Sequence, residues 1–185
     1  MRLLSCSCAA FLILSAACSA PPCRTVEGAV QIKNSLDAEA LADVCIITGE
    51  LKVSAPDLTA LSLPRLVSVG GELSIVGKKA ALATLSLPVL QKVAGLVNIS
   101  GNPKLAELSL PALETIGESL SVFSNPAMAT LSLPALTTVR LGHPRSILIS
   151  DNGPALKCTG ALLAADAVKA RGYDERYGGA MNRCP

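Results

Sequence analysis

Apolar residues recur along the chain in short pairs, in which two aliphatic side chains flank one small or polar residue. The clearest copies read Leu-Ser-Leu-Pro, and they begin at Leu61, Leu85, Leu108 and Leu131. Their prolines, at positions 64, 88, 111 and 134, fall 24, 23 and 23 residues apart. The alternation predicts β-strands with one face turned inward, and a repeat period of roughly 20 to 50 residues indicates a solenoid of stacked coils.

Each repeat carries further aliphatic positions at matching places, so we expect equivalent residues to stack into ladders of Leu, Val and Ile. The second repeat continues from Leu90 to the pair Val97 and Ile99, and an incomplete earlier repeat supplies Leu51 and Val53. Such a core needs no aromatic residues, which agrees with a 185-residue chain that has no Trp and two Phe. Because proline lacks an N–H and holds its predecessor extended, it is expected to end a short strand at a corner of each coil.

Turn-forming residues recur on another side of the coil, at Asn102-Pro103, Asn125-Pro126 and Asn152-Gly153-Pro154. Three Asn side chains at one height fit two interpretations. They form either a buried hydrogen-bonded ladder or three ordinary exposed turns, and the sequence does not decide between them.

The fourth repeat contains extra residues. Val139 and Ile147 are eight positions apart, whereas Val69 and Leu73 are four apart. The added segment, residues 140–146, is expected to bulge out as a surface loop. It is either a functional insertion or simple drift at a terminal coil.

The first 17 residues have the composition of a secretion signal and are excluded from the fold. An apolar stretch at residues 3–14 precedes Ser15-Ala16-Ala17-Cys18, which is similar to the lipobox of bacterial lipoproteins. That resemblance implies that Cys18 is the first mature residue and carries lipid, with residues 18–22 as a short tether. The alternatives are cleavage after Ala20, which would leave a soluble protein, and an uncleaved anchor, for which the apolar stretch is barely long enough.

Cysteine usage is consistent with export to an oxidising compartment. Of seven Cys, two leave with the signal and Cys18 takes lipid, so four remain in two terminal pairs. We predict the disulfides Cys23–Cys45 and Cys158–Cys184, each closing a loop at one end of the solenoid and each stabilising it by roughly 3 kcal/mol. Zinc binding is not expected, because the spacings contain no Cys-x-x-Cys pair.

A solenoid needs polar caps over its terminal coils. At the N-terminal end, Val30 and Ile32 predict a strand, and residues 35–44 predict a short amphipathic helix. At the C-terminal end, Thr159 is placed to cap a helix that runs through Arg171.

These features together resemble the receptor L-domain family, a relative of leucine-rich repeats that includes the ligand-binding L domains of insulin- and growth-factor-receptor ectodomains. The resemblance rests on residues 45–53, the four Leu-Ser-Leu-Pro coils and the Cys-bracketed final segment, and it covers about residues 23–184. It implies a mostly β fold over residues 23–185, a right-handed parallel β-solenoid with short N- and C-terminal capping helices. Residues 173–183, rich in Gly and charge, depart from the closing strand that the family would have there.

Fungal cell-wall proteins and many bacterial lipoproteins are also similar to this family. The lipobox favours a bacterial lipoprotein of the cell envelope, and Ser19 after the lipidated Cys is compatible with sorting to an outer membrane.

Residues able to support catalysis are sparse. The single His, His143, lies in the added segment, and no Asp, Glu or Cys near it recurs at ligand spacing. The stacked Ser62, Ser86, Ser109 and Ser132 have no base beside them, so they are interpreted as structural. An enzyme with an unrecognised site would need a pocket that joins His143 to an acid and a nucleophile. We therefore expect a non-enzymatic protein without cofactor or metal.

The charge of the chain points to no polyanionic partner. Removal of the signal would take away Arg2 and no acidic residue, so the remaining chain carries 15 basic and 14 acidic residues. It has no basic stripe and almost no aromatic platform, so nucleic-acid binding is not expected.

The candidate binding surface is the outward face of the repeated central strands. Its members are Ser74, Asn98, Ser121, Phe123 and Leu148, with Val76, Ser100 and Ser150 beside them. Phe123, the only Phe after the signal, is placed to anchor a partner unless its ring points into the coil. The sequence thus predicts a lipid-anchored envelope protein that recognises an unknown protein or glycan. The alternative is a purely structural envelope protein without a specific ligand.

Overall fold

The computed structural model of the protein describes residues 22–77, 81–140 and 147–160. These residues form strands β1 to β17 and one short helix, wound as a parallel β-solenoid of about six turns with three sheets, A, B and C. Sheet A contains β1 (Arg24–Val26), β3 (Val44–Ile47), β6 (Ser68–Val69), β9 (Lys92–Val93), β12 (Thr115–Ile116) and β15 (Thr138–Val139). Sheet B contains β2 (Val30–Ile32), β4 (Leu51–Val53), β7 (Leu73–Val76), β10 (Val97–Ser100), β13 (Leu120–Phe123) and β16 (Ile147–Ser150). Sheet C contains β5 (Ala60–Ser62), β8 (Thr84–Ser86), β11 (Glu107–Ser109), β14 (Thr130–Ser132) and β17 (Lys157–Thr159).

The chain crosses the three sheets in the same order in each turn, and every strand pairs in parallel with its equivalents in the adjacent turns. In the first turn, helix α1 (Ser35–Glu39) stands between β2 and β3, where later turns have a strand of sheet C. The β-solenoid that the repeats predict is therefore confirmed, and its strands are parallel.

Helix α1 is shorter than the helix predicted over residues 35–44. Asn34 caps it by accepting a hydrogen bond from the Asp37 N–H at 3.0 Å. The helix ends at Glu39, and Val44 already belongs to β3. A β-branched side chain suits that strand, and Val44 is 1 % exposed there. The predicted strand at Val30 and Ile32 is confirmed as β2.

The leucines of the Leu-Ser-Leu-Pro repeats build the core. The first leucines of the four repeats pair in register across sheet C: Leu61, Leu85, Leu108 and Leu131. The second leucines directly follow the strands: Leu63, Leu87, Leu110 and Leu133. All eight are at least 94 % buried. The second leucine extends the hydrogen bonding by one residue, as when the Leu110 N–H donates to the Ser132 carbonyl at 3.0 Å. The exposed proline comes next, in a turn where no N–H is needed, so the predicted corner role of proline is confirmed.

The three ladder asparagines are buried, which decides between the two interpretations of the Asn turns. Asn102 and Asn125 are 0 % exposed and Asn152 is 8 % exposed. The Asn102 Nδ2 donates to Asn125 Oδ1 at 3.2 Å, and the Asn125 Nδ2 donates to Asn152 Oδ1 at 2.9 Å. The amides therefore form a continuous hydrogen-bonded ladder beside sheet B, called the Asn ladder below.

A left-handed residue precedes each asparagine of the Asn ladder. Gly101, Ser124 and Asp151 have φ values of 67°, 56° and 51°. This conformation interrupts the alternation of the preceding strand, so that the Asn side chain turns inward. It is costly for a residue with a Cβ, although short polar side chains tolerate it better than most.

Gly101→Ala is expected to lower the free energy of unfolding by about 1 kcal/mol. A Cβ at Gly101 would meet its nearest atoms at 3.7 Å, an ordinary contact, so the loss would come from the backbone conformation alone. Urea denaturation followed by circular dichroism measures it. Ser124→Gly, the reciprocal change, should not destabilise the protein, and an equal loss in both variants would contradict the explanation.

The predicted disulfide Cys23–Cys45 is present and joins the residue before β1 to β3, with the two Cα atoms 5.5 Å apart. Beside it, the exposed Arg24 guanidinium donates to the Asp43 carboxylate at 2.8 Å, and this hydrogen bond holds the pKa of Asp43 below its usual range. Cys158 is also disulfide-bonded, and Cys184 lies outside the described residues.

Replacing Cys23 and Cys45 together with Ser is expected to lower the free energy of unfolding by about 3 kcal/mol, because the unfolded chain would regain the freedom of a loop of about 22 residues. Guanidinium denaturation under non-reducing conditions measures this loss. An unchanged denaturation midpoint in the double variant would show that the disulfide does not stabilise the first turn.

Several predictions concern residues outside the described ranges. These are the signal and Cys18, the added loop through residues 141–146 with His143, and the closing segment after Gly160. Thr159, the proposed cap of the C-terminal helix, is the last residue of β17. The right-handed winding and the capping roles of the helices stay predictions.

Candidate binding face

The predicted binding residues come together on the outer side of sheet B. The second residues of its strands are aligned across the six strands by the parallel register, and they form one row: Gln31, Lys52, Ser74, Asn98, Ser121 and Leu148. The fourth residues of the four longer strands form a second row: Val76, Ser100, Phe123 and Ser150. Together these two rows are called the B face.

Burial separates the B face from the core behind it. In β13, Leu120 and Val122 are 0 % exposed, whereas Ser121 and Phe123 between and after them are half-buried. Leu148 is half-buried in the same way between Ile147 and Ile149. Phe123 and Leu148 do not belong to the buried core cluster. The Phe123 ring therefore lies outside the hydrophobic core of the solenoid.

Small serines surround the largest side chain of the B face. Phe123 pairs in register with Ser100 on one side and Ser150 on the other, and these two are 5 % and 7 % exposed. Ser74, predicted to lie on the accessible surface, is 7 % exposed, because its short side chain lies in register between the longer Lys52 and Asn98. Ser74 is thus part of the row but offers little surface.

Asn98 is the polar group of the B face with an unsatisfied atom. Its side chain is half-buried, and its Oδ1 is shielded from solvent and accepts no hydrogen bond from the residues that the structure describes. A buried amide oxygen without a donor is unfavourable.

The basic residue of the B face is locally neutralised. The Lys52 Nζ donates to the Glu50 carboxylate at 2.7 Å, and this hydrogen bond raises the pKa of Lys52. Both side chains are well exposed, so the ion pair contributes little to stability. Because Glu50 offsets the charge of Lys52, the part of the B face in the first turns is polar but carries little net charge. Phe123 and Leu148 lie at the opposite end of the B face.

A groove that the sequence did not predict lies on the outside of sheet C. Its volume is about 420 Å³, and the residues that line it include Thr84, Ser86, Pro88, Glu107, Ser109 and Pro111. The serine ladder that was interpreted as structural faces outward along this sheet, and Ser132 accepts a hydrogen bond from the Thr159 hydroxyl at 2.8 Å. The inward leucines of the same repeats set the register of the serine ladder, but their pattern does not predict a groove.

Within the described ranges, no group of three or more His, Cys, Asp and Glu side chains is arranged to hold a metal ion. No helix of the described chain is long and apolar enough to cross a bilayer. Comparisons of the chain with protein-family models, with curated proteins and with solved structures each found no match.

Proposed function

We propose that this protein is a non-enzymatic, lipid-anchored protein of the bacterial cell envelope that binds a protein or glycan partner through the B face. The observation that carries the proposal is the register of sheet B, which gathers Asn98, Ser121, Phe123 and Leu148 on one side of three adjacent strands. A half-buried aromatic ring beside an aliphatic side chain, flanked by small polar groups, has the composition of an interface anchor with its polar rim.

Rigidity of the B face supports the same proposal. Its strands pair in parallel over six turns, and the Asn ladder ties the last three turns together directly after these strands. A surface that is ordered before it binds loses little conformational entropy on association. Binding by this face would therefore not require a change of the solenoid.

The position of the proposed anchor also favours recognition. Four residues separate Cys18 from Cys23, and they span about 14 Å at most. Cys23 is bonded to Cys45 in β3, so lipid on Cys18 would hold the first turn close to the bilayer. Strands of a sheet lie about 4.8 Å apart, which places β16 roughly 24 Å from β2 along the stack. Phe123 and Leu148 would lie toward the end of the solenoid away from the anchored turn.

The lipid anchor is tested by labelling cells with radioactive palmitate. The wild-type protein is expected to incorporate label, and Cys18→Ala is expected to lose it entirely while the protein is still made. Equal labelling of the two forms would end the lipoprotein proposal. A mature N-terminus at Pro21 would instead establish cleavage after Ala20 and a soluble secreted protein.

Binding is tested by retention of envelope proteins on the purified protein. Phe123→Ala is expected to reduce retention of a specific partner at least about tenfold, because truncation of a hot-spot side chain costs about 2 kcal/mol or more and a tenfold loss corresponds to about 1.4 kcal/mol. Leu36→Ala is the matched control, since Leu36 is 72 % exposed but lies in α1 of the first turn, far along the stack from Phe123 in β13. Deletion of residues 141–146 tests the added segment separately. A purely structural envelope protein would retain nothing, or would retain the same proteins in all variants.

A further inference from the structure

The Asn ladder ends at an acceptor that has no donor. Asn125 Oδ1 accepts hydrogen bonds from the Asn102 N–H and the Asn102 Nδ2, at 3.1 and 3.2 Å. Asn152 Oδ1 accepts the equivalent pair from Asn125, at 3.3 and 2.9 Å. Asn102 is itself 0 % exposed, and its Oδ1 receives no hydrogen bond from the described part of the chain.

Sequence explains why the Asn ladder stops at this turn. The register pairs Val76 with Ser100, and the asparagine of the next turn follows Ser100 by two residues. Two residues after Val76 the sequence has Lys78 in place of asparagine. The repeat therefore supplies three side-chain amides and not a fourth.

A small cavity lies at this end of the Asn ladder. Its volume is about 10 Å³, and among the described residues it is lined by Asn102 together with Val53, Ala55, Leu58, Ile75, Val76, Gly77 and Leu82. A single water molecule needs roughly 10–15 Å³ measured in this way. The cavity thus has the volume that one water needs.

The repeat also indicates the second partner of such a water. Each ladder amide donates to the backbone carbonyl of an inward residue one turn earlier, namely Ile75 for Asn102, Ile99 for Asn125 and Val122 for Asn152. Val53 pairs in register with Ile75, so its carbonyl is the acceptor that a fourth amide would use. Val53 also lines the cavity.

We propose that this cavity is a binding site for one structural water, which takes the place of the fourth asparagine amide. The water donates one hydrogen to Asn102 Oδ1 and the other to the Val53 carbonyl, as an Asn Nδ2 does in the later turns. It would satisfy a buried acceptor that otherwise carries a desolvation cost. The Asn ladder would then be closed at this end by solvent.

A crystal structure of the protein at about 1.5 Å resolution tests the proposal. We expect one isolated density peak at about 2.5–3.0 Å from both Asn102 Oδ1 and the Val53 carbonyl oxygen. Asn125 Oδ1 and Asn152 Oδ1 are internal controls in the same crystal, and no water should contact them because each already accepts two hydrogen bonds.

Three results would overturn the proposal: no peak between the two oxygens, density continuous with a protein side chain, or a peak much closer than 2.5 Å to both oxygens, which would identify a metal ion. In solution, the Gly77 amide proton should show a cross-relaxation peak with water, while that of Gly101 should not. Absence of the Gly77 peak would count against a resident water independently of crystal conditions.

Discussion

Asn125→Ala is expected to lower the free energy of unfolding by about 4 kcal/mol, because it removes four interior hydrogen bonds worth about 1 kcal/mol each and leaves the buried Asn102 N–H without its acceptor. The substitution removes the acceptor of the Asn102 N–H and side chain. It also removes the amide that reaches Asn152 Oδ1 and the Ile99 carbonyl. All these groups lie where solvent does not replace the lost partner.

Asn98→Ala is the matched control for Asn125→Ala. Asn98 is also an amide in the repeat, but it is half-buried on the B face and its Oδ1 has no donor among the described residues. Its removal should change the free energy of unfolding by less than about 1 kcal/mol. Equal losses in the two variants, measured by chemical denaturation, would contradict a special role of the Asn ladder.

Leu108→Ala is expected to cost about 3 kcal/mol, within the range for truncation of a fully buried leucine. Leu108 is 0 % exposed, and it stacks in register between Leu85 and Leu131. These neighbours are fixed by their own strands, so the surrounding turns have little freedom to close the cavity. The loss should appear as a lower denaturation midpoint.

Ser109→Ala, one residue further along β11, tests the same strand from its other side. Ser109 is half-buried and turned outward, so its truncation is expected to change stability by less than about 0.5 kcal/mol. A large loss at Ser109 with a small loss at Leu108 would mean that the register of sheet C is wrong by one residue.

The core of the solenoid follows from the sequence because it rests on local alternation and on repetition. Leu61 and its equivalents must face inward, and a constant period forces them to stack, so the fold class and the corner prolines could be predicted. The Cys23–Cys45 bond was predicted from the number of cysteines and from the expected export of the chain, and the structure contains it. The first turn was only partly anticipated, because β1 is short and lacks the Leu-Ser-Leu-Pro pattern.

Other features depend on three-dimensional relations that one sequence does not encode. The Asn turns had two interpretations because burial of a polar side chain depends on whether neighbouring turns supply partners. Ser74 was predicted to be accessible, yet its burial depends on the lengths of Lys52 and Asn98 beside it. The groove of sheet C arises from the outer contour of two turns, which the inward leucines do not determine.

Site-specific photo-crosslinking in cells tests the proposed role of the B face most directly. A photoreactive amino acid is introduced in place of Ser121 on the B face and, separately, in place of Ser109 in the groove of sheet C. We predict a discrete crosslinked complex from position 121 that disappears in the Phe123→Ala background, and none from position 109. Crosslinking at position 109 alone, or no complex at position 121, would contradict recognition by the B face.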